Sequence, residues 1–177
     1  IAEATTRLRE TLWAEASRLG SAEQWQLFVR IFPEDPGAEA AEQCLLVLVG
    51  PSSEYVFEDI PERPVASLLQ DFSAPVRLEF AASDDELAFR IAHEHDDFNR
   101  FDAAQTLGER VLLVAYRSGV LDASASLEVL LAALAKLVAD LGLDPALVAE
   151  CLEPPDEISL GERIDALDPS RLHAVRE

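Results

Sequence analysis

The chain has 177 residues, 49% hydrophobic and 27% charged, with 34 acidic against 14 basic side chains and a net charge of −20. That composition excludes a disordered chain and is enough for one ordinary domain or two small ones. So anionic a surface repels nucleic-acid phosphates and anionic lipid heads, so neither nucleic acid nor membrane is an expected partner. The two cysteines, Cys44 and Cys151, are too far apart in sequence and too few for a disulfide framework or a zinc cluster. They read as small buried hydrophobes, in keeping with a reducing, cytoplasmic setting. The first residues, Ile1-Ala2-Glu3-Ala4, show no basic stretch leading into an apolar core, so no signal peptide is read there. Methionine is absent, and the chain is expected to be processed, trimmed or an excised piece of something longer.

In chain order, residues 3–19 read as an amphipathic helix, because Leu8, Leu12 and Leu19 with Ala4 and Ala16 recur at three- and four-residue spacing. Gly20 follows as a stop. Trp25 to Phe32 alternates with period two and predicts a strand. Pro33 to Gly37 is a loop, Leu45 to Val49 a short β-branched strand, Tyr55-Val56-Phe57 another, and Val76 to Phe80 a further one. The segment from Pro61 to Pro75 is punctuated by prolines, which cannot donate to a central ladder; it is read as edge or crossover.

After Phe80 the pattern becomes helical. Ser83-Asp84-Asp85-Glu86 is a capping box and opens a helix to about His93. Asp96 or Asp97 caps a second, from about Phe98 to Arg117, and Asp122 or Ser124 opens a third, to about Leu141. The apolar run Leu127 to Leu143 is interrupted by Glu128, Lys136 and Asp140. It is therefore read as a buried core helix rather than a bilayer span, which needs about 20 nearly uncharged residues. Asp144-Pro145 and Asp168-Pro169 each place an aspartate cap before a proline at the first helical position. The repetition suggests stacked helix pairs. The fold class is thus α+β: a short β-sandwich-like part over 1–81, then an all-α, solenoid-like part over 82–177.

Catalytic chemistry is sparse. His93-Glu94-His95-Asp96-Asp97 is the one cluster with metal-ligand residue types. Histidines that share an ion from one helix stand four apart, whereas His93 and His95 are two apart and would point in opposing directions. The remaining histidine, His173, is distant in sequence. No Gly-x-Ser-x-Gly elbow and no glycine-rich phosphate loop is present. No catalytic, cofactor-binding or metal-ligating residue is assigned.

Two phrases carry more information than any motif. One runs Arg63-Pro64-Val65-Ala66-Ser67-Leu68-Leu69-Gln70-Asp71-Phe72-Ser73-Ala74-Pro75-Val76-Arg77-Leu78; the other is Phe98-Asn99-Arg100-Phe101-Asp102-Ala103-Ala104-Gln105. Together they resemble the bacterial aminopeptidase N family of zinc metallopeptidases, at the place where an immunoglobulin-like domain passes into a helical C-terminal domain. The resemblance covers about residues 44–177, while residues 1–43 do not follow the family pattern. It implies hydrolase chemistry and a zinc ion in the full-length family, with this stretch a non-catalytic supporting or capping part that has no cofactor of its own. Its partner would then be the rest of an aminopeptidase chain. The alternative is a free-standing helical module that binds a protein or peptide. Phe72, Pro75, Phe98, Asn99, Arg100 and Asp102 are the candidates for interdomain structure, with Arg100 and Asp102 as charge-assisted partners.

Overall fold

The structure, a computed structural model, describes residues 6–15, 25–32, 42–48, 53–60, 65–72, 77–119 and 125–177; for the strands before residue 65, and for 72 and 77–79, it is the backbone that is described. The chain divides into two units, Ile1–Ala82 and Ser83–Glu177.

Among the described residues the first unit contains six strands: β1 (Thr6–Glu15), β2 (Trp25–Phe32), β3 (Glu42–Leu48), β4 (Ser53–Ile60), β5 (Val65–Leu68) and β6 (Arg77–Glu79). They form two antiparallel three-stranded sheets, ordered β4-β1-β6 and β3-β2-β5. In the first, Glu10 lies opposite Tyr55 and Ala14 opposite Leu78. In the second, Val29 lies between Cys44 and Leu68. The helix expected over 3–19 is corrected over residues 6–15, since Thr6–Glu15 is a strand; the ends of that stretch lie outside the described residues. Leu8 and Leu12 stand four apart, which is one helical turn but also two strand repeats, so their spacing fits both periods. Ladder partners on both sides, supplied by β4 and β6, settle the choice. The proline-flanked segment yields β5, an edge strand whose four residues are all buried. A 3₁₀ turn, Gln70–Phe72, follows it. Leu69 and Asp71 both take positive φ there, 59° and 55°, a conformation that costs a side-chain-bearing residue about 1–2 kcal/mol. The buried Gln70 side chain donates to Ser67 Oγ at 2.8 Å and closes the turn from within.

The second unit is helical: α1 (Asp84–His93), α2 (Asp97–Ser118), α3 (Ala125–Ala139), α4 (Pro145–Leu152), α5 (Glu157–Gly161) and α6 (Pro169–Arg176). Most of these helices begin where a short polar side chain can take free amides. Ser83 and Glu86 form a complete capping box on α1. Asp96 rather than Asp97 caps α2, and Asp144 and Asp168 cap α4 and α6 with proline following. Each cap stabilises by about 0.5–2 kcal/mol. The start expected at Asp122 or Ser124 lies outside the described residues. Helix α5 was not anticipated; five residues are too short to show a period, although Asp156 accepts from the amides of Ile158 and Ser159.

The long helix α2 is central. Its buried side chains, among them Ala103, Leu107, Val111 and Ala115, face neighbours in α1, α3, α4 and α6. Gly108 lets the chain approach closely, since a Cβ there would stand 3.1 Å from Pro155 Cδ. At the far end of α2, Leu112 and Tyr116 pack with Leu160 and Leu172. The Tyr116 hydroxyl accepts from the Asp168 amide at 2.8 Å, and the Arg171 guanidinium lies 5.1 Å from the ring centre. The expectation that Leu127–Leu143 is a buried core helix is only half met. Ala133 and Leu137 are buried, but Leu131 and Val138 are 56% and 53% exposed.

Candidate functional site

Two of the residues singled out by sequence, Asn99 and Arg100, are buried at the corner between α1 and α2. A helix leaves its last four carbonyls without intrahelical partners. At the end of α1, Arg100 meets one of them, donating to the Ile91 carbonyl at 2.6 Å, and also donates to the carbonyl of the capping residue Glu94. Arg100 reaches back from the first turn of α2, so one side chain ties the end of one helix to the start of the next. It is only 5% exposed.

Arg90 and Glu94 complete the corner and are equally enclosed, at 6% and 1% exposed. Arg90 donates to the Asn99 carbonyl at 3.2 Å. Its Nε lies 3.9 Å from Glu94 Oε2, an ion pair longer than a hydrogen bond. Glu94 Oε1 accepts the amides of His95 and Asp96 at 2.8 and 3.2 Å. Asp96 in turn accepts the Asn99 amide at 2.8 Å. Free amides and free carbonyls of the interhelical link are thus met by side chains of opposite charge. Burial pulls both guanidinium groups below the usual arginine range, and the Glu94 carboxylate opposes that pull in each. The buried Cys151 thiol is pushed up by its own burial, with Arg100 acting in the other direction.

The six candidates separate. Asn99 and Arg100 are buried in the helical unit. Phe98 is 45% exposed, and Asp102, four residues along the same face of α2, is also exposed. Asp102 nonetheless sits among enough protein atoms that desolvation raises its carboxyl, while Arg90 lowers it. Phe72 contributes backbone to the 3₁₀ turn; Pro75 lies outside the described residues. Arg90 was not singled out in the sequence, and Glu94 stood out only as part of the histidine cluster.

That cluster is not arranged for an ion. His93 ends α1 and packs on Phe89 with ring centres 4.6 Å apart, while His95 lies in the interhelical link. Desolvation, and after it Lys136 and Arg100, hold the His93 imidazole below the ordinary histidine value. Among the described residues, no group of three His, Cys, Asp or Glu side chains is placed to hold a metal. No helix among them is long and apolar enough to cross a membrane.

A second polar junction was invisible in the sequence. Asp84, at the start of α1, accepts from Arg110 of α2 at 2.7 Å and from Ser126 of α3. The Ser126 hydrogen bond is the main reason its carboxyl falls below the usual range.

The fold defines a class: a β-stranded unit followed in the chain by a domain of capped, packed helices. Residues 28–81 match the model of the DUF3458 domain, described as having an Ig-like fold, and residues 84–177 match DUF3458_C, a domain of unknown function described as ARM repeats. The chain belongs to the DUF3458_C family and is similar to aminopeptidase N over most of its length. It is 34% identical to aminopeptidase N of Escherichia coli (strain K12) over 149 residues, which is 84% of this chain and 17% of that protein. Against aminopeptidase N of Caulobacter vibrioides the identity is 36% over 121 residues, 68% of this chain and 14% of that one. A solved structure, Legionella pneumophila aminopeptidase A in complex with aspartic acid, matches with a TM-score of 0.69 at 26% identity, over 90% of this chain and 18% of that one. The chain therefore spans less than a fifth of the length of these relatives.

Proposed function

We propose that this chain is a non-catalytic supporting and capping part of an aminopeptidase N-like zinc metallopeptidase that removes N-terminal residues from peptides. The observation that carries the reading is the ordered pair of domains, matched over 28–81 and 84–177, in a chain related to aminopeptidase N over 84% of its length. The polar groups of the α1–α2 corner agree with it. They are engaged with backbone amides and carbonyls rather than aimed at a substrate. Among the described residues no group of side chains is placed for zinc, so no chemical step is assigned to them; the ion and the hydrolytic machinery would belong to other parts of a full-length enzyme.

In this reading the two sheets of the first unit close face to face as a sandwich. Phe98 and Asp102, outward on α2, serve contact with a neighbouring part of the full-length protein, while Asn99 and Arg100 hold the corner that presents them. The partner is the remainder of an aminopeptidase chain, not nucleic acid or a membrane, and the setting is cytoplasmic. The test is to purify the 177-residue chain, measure bound zinc and assay cleavage of amino-acid anilides. The expected result is no hydrolysis and no stoichiometric zinc. About one zinc per chain together with anilide cleavage overturns the proposal.

A further inference from the structure

We draw no further inference here: the strongest candidate, the exposed apolar stripe of Leu131, Ala132, Ala135, Val138 and Ala139 along α3, carries nothing because nothing in the structure shows what covers it.

Discussion

Replacing Arg100 with alanine is expected to destabilise the helical unit severely. The substitution removes donors from the Ile91 and Glu94 carbonyls at a corner where Arg100 is 5% exposed. A buried acceptor left without a partner costs about 1–3 kcal/mol. It also removes a positive charge that acts on the buried Glu94 carboxylate, but Arg90 stays beside that carboxylate, so this adds less than the ~3–5 kcal/mol that breaking a buried pair costs. Because the contributions overlap, about 3–5 kcal/mol in total is expected. A domain stable by about 5–15 kcal/mol loses a large share of that. With each kcal/mol worth about 4–8 °C in a domain of this size, the melting temperature should fall by at least about 12 °C. The assay is thermal unfolding followed by circular dichroism at 222 nm, which reports the helices. Arg100→Lys should fall between wild type and alanine, since one ammonium cannot reproduce a planar fork reaching two carbonyls. Asp102→Ala, at an exposed position, should shift the midpoint far less. An Arg100→Ala variant that melts within about 2 °C of wild type would refute the assignment of Arg100 as the tie between α1 and α2.

Three other outcomes are expected. Asp84→Asn should cost about 1 kcal/mol, reduced by the partial exposure of the Arg110 pair, and should flatten the acid limb of stability. Because folding lowers the Asp84 pKa, its contribution is present above the unfolded value, about 3.9, and is lost as pH falls through the folded one; urea midpoints from pH 2 to 6 check this. Gly108→Ala should destabilise by about 1–3 kcal/mol despite alanine's better helix propensity, because the new methyl group meets the buried, rigid Pro155 ring at 3.1 Å; an increased urea midpoint contradicts the close approach. His173 Nδ1 lies 2.7 Å from Glu157 Oε1, and that hydrogen bond raises the imidazole pKa. Whatever stability the pair contributes is full below the unfolded value near 6.5 and fades as pH rises through the folded one. NMR titration of the His173 ring should show its pKa dropping in Glu157→Gln, and an unchanged value removes the pair.

Local signals were legible where the physics is local. Ser83 with Glu86, Asp96, Asp144 and Asp168 each cap a helix through amides two or three residues away, so residue type and spacing suffice. Trp25–Phe32 could likewise be read as a strand from its alternation. The Arg100 phrase was noticed through resemblance, yet its use was not legible: its acceptors are backbone carbonyls, which have no signature in sequence. Glu94 looked like part of a histidine cluster because metal-ligand residue types are also hydrogen-bonding types.

By itself, then, the sequence determined the starts of α1, α2, α4 and α6, the acidic composition, most of the described strands and the kinship with aminopeptidase N. Tertiary structure alone decided that residues 6–15 form a strand, because partners near residues 55 and 78 supply the backbone hydrogen bonds that a four-residue leucine spacing leaves undecided. It also decided that Arg90, Glu94 and Arg100 close a buried corner. Charges can be enclosed there because two helix ends bring unpaired amides and carbonyls to one place, and that meeting exists only once α1 and α2 have packed.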